Sequence, residues 1–135
     1  MRPGISVRQA HPGDFLALGG IFLRSIKAGY PWVTDWWVSD ADLLTYPYED
    51  HGKWRHILVA EKAGRLAGLS CLIQDYVDEF FVDPEFWGQG VADALMEESI
   101  ALFPQRLELH CFEQNHRGRR FYERHGFRFL LSEAC

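Results

Sequence analysis

Apolar positions recur along the chain in two rhythms. Ile5-Ser-Val-Arg alternates apolar and polar residues as a half-buried strand does. After His11-Pro-Gly-Asp14, the residues Phe15, Leu16, Leu18, Ile21, Phe22 and Ile26 fall at steps of three and four, which predicts an amphipathic helix ending near Gly29. Gly19 and Gly20 weaken that helix by about 1 kcal/mol each relative to Ala. Residues 30–54 are irregular and aromatic, the pattern of a lid or loop, with one short helix predicted over 39–45 and stopped by Pro47.

The middle of the chain changes rhythm. Residues 56–61 and 66–73 are apolar runs on either side of Lys62-Ala-Gly-Arg65, a glycine-containing hairpin turn, and a second turn at Gln74-Asp75 leads into residues 76–82. This predicts a three-strand meander ended by Pro84. Gly88-Gln-Gly90 then opens a helix with Val91, Ala94, Leu95 and Leu102 on one face, closed by Pro104. Residues 107–112 read as a strand, 116–125 as a helix stopped by Gly126, and 127–131 as a last strand. The order βα(α)βββαβαβ predicts an α/β layer fold, a mixed, mostly antiparallel sheet of about six strands flanked by about four helices.

Length and composition narrow the classes. The 135 residues fit a single domain, and a hydrophobic share of 47% supplies a core, unlike a disordered chain. A formal net charge of −5 argues against nucleic acid as a partner. The longest early apolar run, residues 15–23, is too short for a bilayer and lacks a small-residue cleavage site, so no membrane or export signal is expected. Cys71, Cys111 and Cys135 fit neither a disulfide framework nor paired metal ligands; a reducing cytoplasm without a bound metal is the simplest expectation.

The candidate chemistry lies in Phe80-Phe-Val-Asp-Pro-Glu-Phe-Trp-Gly-Gln-Gly-Val-Ala-Asp-Ala-Leu95, a strand that feeds through a glycine turn into a helix. Free N–H groups and a helix N-terminus suit a pyrophosphate, although two glycines also make an ordinary tight turn. Asp93 stands where a dinucleotide fingerprint needs its third glycine, and no Gly-Lys-Ser/Thr follows for a P-loop. Val82-x-Pro84 followed by Gly88-x-Gly90-x-Ala92 resembles the acyl-CoA-binding motif of the GCN5-related N-acetyltransferase (GNAT) family. Asn115, Phe121-Tyr122 and Gly126-Phe127 are similar to that family's second segment.

The resemblance implies acetyl or short acyl transfer from coenzyme A to a primary amine by direct attack in a ternary complex, on a sheet that splays between its fourth and fifth strands. It implies acetyl-CoA as cofactor, held by the backbones of Phe80 and Val82 along the pantetheine arm and by Gly88, Gln89, Gly90, Val91 and Ala92 at the pyrophosphate. Asn115 would contact the arm, and Tyr122 would protonate the leaving thiolate. Arg117, Arg119, Arg120 and Arg124 crowd one helix, where Arg120 would meet the 3′-phosphate unless the group is a solvated basic face. Trp87 occupies a position where the family usually has Arg or Gln, and Gly118 one where it commonly has Ala.

A base must take the amine's proton, and Asp78 is the candidate, expected on the strand face shared with Phe80 and Val82; Glu79, His110 and water are the alternatives. A non-catalytic acyl-CoA-binding module is the competing reading. Between Lys27 and Lys53 there is neither Lys nor Arg, while acids and aromatics are dense, which predicts a cationic acceptor. The short polar tail after Leu131 leaves no residues for a seventh strand, so either an exposed edge or a homodimer is expected.

Overall fold

The structure, a computed structural model, describes residues 2–29 and 40–129. Five strands form one sheet in the order β1-β2-β3-β4-β5: β1 (Ile5–Gln9), β2 (His56–Lys62), β3 (Arg65–Ile73), β4 (Tyr76–Val82) and β5 (Glu108–Leu109). The first four run antiparallel, and β5 joins β4 in parallel. Both predicted turns form, with Ala63 at φ 54°, Gly64 at φ 73° and Gln74 at φ 51°. Such left-handed residues match the twist of a tight hairpin.

The described residues form four α-helices, α1 (Phe15–Gly29), α2 (Asp40–Asp50), α3 (Val91–Leu102) and α4 (His116–Arg124); α1 and α3 cover the sheet's two faces, α2 lies against α1, and α4 sets its aromatic rings against Phe80 of β4. On the α1 face Phe15, Leu18, Ile21 and Phe22 meet Trp54, Val59, Leu69 and Cys71. Leu16, counted in the same stripe by its spacing, is instead 71% exposed. On the α3 face Val91, Ala94 and Leu95 meet Ile5, Leu58, Ala67, Leu72 and Val77. Each face thus buries one alternate set of strand residues. No helix among the described residues is long and apolar enough to cross a membrane.

Three expectations change. Pro47 does not stop its helix: α2 continues to Asp50 with Pro47 inside it and fully buried. A proline inside a helix costs about 3 kcal/mol locally, and here tertiary packing overrides that propensity. The close partner of α2 is Gly19 on α1, where an added Cβ would stand 2.1 Å from the Leu44 carbonyl oxygen. The predicted strand over 107–112 shortens to Glu108–Leu109, because β4 offers it only Tyr76 and Val77. Residues 127–129 form no strand, as the Phe127 N–H closes the end of α4 by donating to the Tyr122 carbonyl at 3.0 Å; residues 130–131 lie outside the described part.

The packing at Gly19 makes opposite forecasts for adjacent glycines. Gly19→Ala should lower stability by about 1–3 kcal/mol, since backbone blocks the new methyl. Gly20→Ala meets only the movable end of the Arg24 side chain and should be neutral or stabilising by up to about 1 kcal/mol. Urea unfolding of both variants measures the difference.

Candidate functional site

The site begins where β4 and β5 part. Pairing between them covers Tyr76 with Glu108 and Val77 with Leu109, then ceases. On its other side β4 stays paired to β3, and the Asp83 N–H continues that ladder to the Ala67 carbonyl at 2.8 Å. Peptide groups alternate sides along a strand, so those of Phe81 and Glu79 also face β3, while those of Phe80 and Val82 face the gap. An extended ligand can add there as a strand would.

A bulge marks the point of divergence. Val77 pairs with Leu72 and Glu79 with Cys71, leaving Asp78 as the extra residue. This corrects the face assigned to Asp78. Phe80 and Val82 pack on the α3 side, whereas Asp78 accepts a hydrogen bond from Trp54 Nε1 at 2.8 Å on the α1 side. Glu79 shares that side, because it pairs with Cys71; burial, then Glu79 and Asp78, push the Cys71 thiol up. Lys53 Nζ lies 3.5 Å from the same Asp78 oxygen, Oδ2. Sequence reasoning missed Trp54 and Lys53, which lie before β2 and which no local pattern ties to a residue of β4.

At the far end of β4 a turn is pinned by Asp83, 3% exposed, whose carboxylate accepts from Arg24 at 2.6 and 3.0 Å and from the Glu85 N–H at 3.3 Å. Gly88 (φ 76°) and Gly90 (φ 87°) then take left-handed conformations, and Gly90 is the N-cap of α3. None of the backbone N–H groups of residues 88–93 donates to another described residue, and a Cβ added at Gly88 would meet no described residue beyond its chain neighbours within 4 Å. This is an anion cradle at a helix N-terminus. Asp93, in the first turn of α3, would oppose an anion, but His125 Nε2 at 2.7 Å, Arg124 at 2.9 Å and Arg2 at 3.9 Å surround it. Burial alone would raise its carboxyl; the hydrogen bonds from His125 and Arg124 outweigh that and hold it below its usual range.

Helix α4 walls the gap opposite β4. Tyr122 and Phe121 stand against Phe80, at ring separations of 6.3 and 5.8 Å, and Phe127 closes on Tyr122 at 5.9 Å. Asn115 is the N-cap of this helix: its Oδ1 accepts from the Gly118 N–H at 3.0 Å. Arg117 stacks over Trp87, Arg119 over Phe129, and Arg124 pairs with Asp93. Among the described residues Arg120 forms no ion pair or ring contact and remains exposed.

A splayed sheet, a glycine cradle and an aromatic wall are now in one place. The model of the Acetyltransferase (GNAT) family matches residues 26–127. The chain belongs to the GNAT family. It is 28% identical to the uncharacterized N-acetyltransferase YafP of Escherichia coli K12 over 96% of this chain and 85% of that one. It is 24% identical to the peptidyl-lysine N-acetyltransferase YjaB of Salmonella typhimurium over 92% and 83%. The PaiA N-acetyltransferase of Thermoplasma acidophilum, solved with coenzyme A, superposes with a TM-score of 0.72 at 19% identity, over 96% of this chain and 92% of that one. GNAT membership makes acyl-CoA-dependent acetyl transfer the activity class and acetyl-CoA the donor.

The two departures from the GNAT pattern have structural explanations. Gly118 leaves room for the capping side chain, since a Cβ there would stand 2.4 Å from Asn115 Nδ2. Trp87 donates its indole N–H to the Val82 carbonyl at 2.8 Å and so closes the end of the gap. Ser25, missed in the sequence because it reads as one polar residue on an apolar helix stripe, donates to the same carbonyl at 3.1 Å.

The cradle's conformation carries a test. Gly90→Val puts a β-branched residue at φ 87°, which L side chains rarely adopt. Acetyl-CoA binding measured by calorimetry should be lost while circular dichroism stays native; unchanged affinity would remove the glycine turn from the cofactor site.

Proposed function

We propose that this GNAT chain acetylates a cationic primary amine by direct attack in a ternary complex. The parting of β4 from β5 above an unpaired glycine cradle is the observation that carries the reading. The pantetheine arm lies along the Phe80 and Val82 peptide groups, the pyrophosphate rests on residues 88–92, and Arg120 supplies an exposed cation to the 3′-phosphate. The thioester then sits near the bulge.

The amine nitrogen attacks the thioester carbonyl carbon. A β4 N–H in the gap steadies the oxyanion, and the intermediate collapses with cleavage of the C–S bond. Tyr122 gives its proton to the leaving thiolate, which its place against Phe80 supports. Asp78 receives the amine's proton. Its Oδ2 is taken by Trp54 and Lys53, which orients the carboxylate and leaves Oδ1 for the acceptor. The bulge turns Asp78 toward the α1 side, so the amine arrives from that face while the cofactor enters between β4 and α4. Of the acidic surface expected to receive it, residues 30–39 lie outside the described part; Asp42 on α2 is exposed. The peptidyl-lysine activity carried in the name of the YjaB relative supports an alkylammonium acceptor.

Tyr122→Phe should lower kcat by ~10²-fold with little change in acetyl-CoA affinity, as for a lost general acid. Asp78→Asn should remove the limb of the pH–rate profile that reports deprotonation of the amine, whereas an unaltered profile moves the base to Glu79, His110 or water. A coenzyme A-binding protein that turns over no amine would instead be a sensor module.

The acceptor's charge is checked separately with lysine-containing peptides. Their KM should rise with ionic strength, because screening at ~0.15 M shortens the reach of exposed charges to about 8 Å. Preference for neutral or acidic amines would refute the cationic acceptor.

A further inference from the structure

We propose that the Trp87 indole is a built-in stopper of the acyl-CoA groove, which the pantetheine arm must displace to seat against β4. The inference rests on the reading of this groove as the cofactor's site, and it assigns that site a means of setting its own affinity.

The Val82 carbonyl faces the gap, where an arm amide would donate to it. In the free protein it accepts from Trp87 Nε1 at 2.8 Å and from Ser25 Oγ at 3.1 Å. A carbonyl oxygen has two lone pairs, so its acceptor capacity is full. Beyond that bond, the ring bridges the groove's walls. The Arg117 guanidinium of α4 stacks on it at 4.9 Å. At the end of α1, a Cβ added to Gly29 would lie 4.0 Å from the indole Cζ2. The contact with Arg117 crosses the space between β4 and α4 through which the arm must pass.

The two donors to Val82 differ in mobility. Ser25 is 3% exposed inside α1 and is held there by the core. Trp87 is 37% exposed, on the turn that leads to Gly88. The indole is therefore the partner that leaves, and an arm amide takes its place on the carbonyl. A ligand that reaches only the glycine cradle has no reason to move it. Trp87 thus penalises whole coenzyme A and spares its nucleotide portion.

Trp87→Phe keeps a ring but removes the N–H. Wild type and W87F are titrated by calorimetry with coenzyme A and with 3′-phospho-ADP, which has the nucleotide and its 5′-diphosphate but no arm. W87F should bind coenzyme A about 3–10-fold more tightly, the size of one net hydrogen bond, with 3′-phospho-ADP unchanged. Tryptophan emission of the wild type should shift on adding coenzyme A, a measurement that does not depend on how the variant folds, and most of the shift should be absent in W87F. Equal or weaker coenzyme A binding by W87F, an equal gain for both ligands, or the same emission change in both proteins would overturn the stopper. Failure of the wild type to bind coenzyme A would instead overturn the cofactor reading and the stopper with it.

Discussion

The parting of β4 from β5 after Val77 is the constraint on which the site depends. A strand that loses its neighbour leaves peptide groups that must find water, a side chain or a ligand. Here those groups belong to Phe80 and Val82, and the free chain satisfies the Val82 carbonyl with Ser25 from one side and Trp87 from the other. The surroundings hold the gap in place. Asp83, locked to Arg24 and to the Ala67 carbonyl, turns the chain so that the N-terminus of α3 arrives beside the open end of β4.

Charge is arranged locally against the overall balance. The chain is acidic, with a formal charge of −5, yet the groove needs a positive end for phosphate. The N–H groups of residues 88–93, which donate to no other described residue, offer such an end without side-chain charge, and the acid in the first turn of α3 is held by Arg2, Arg124 and His125. The contacts from Arg124 and His125 also fasten α4 to α3. The residues that silence Asp93 therefore also hold Tyr122 and Phe121 across from Phe80, so the electrostatics of the cradle and the position of the aromatic wall are one arrangement.

The bulge at Asp78 decides which side of the sheet its carboxylate takes. An unbroken alternation would put Asp78 beside Phe80 and Val82. One extra residue turns Asp78 toward Trp54 and Lys53 while Phe80 and Val82 keep facing α3 and α4. The bulge adds Asp78 to the α1 side beside Glu79, which alternation alone already places there.

Much of this was legible in the sequence wherever the signal is local. Hairpin turns at Ala63-Gly64 and Gln74, the strand-to-helix passage through Gly88 and Gly90, and the stop of α4 at Gly126 each follow from the backbone preferences of a few adjacent residues, and all of them formed. Tertiary structure decided what depends on partners far along the chain. It carried α2 through Pro47, because helix packing against Gly19 outweighs a local propensity. It turned Asp78 by a pairing shift against Cys71 and Leu72, limited β5 to the two residues that β4 could pair, and set Trp87 on a carbonyl shared with α1. Local conformational preference is written in neighbouring residues, whereas a hydrogen bond between distant segments exists only once the fold has brought its two ends together.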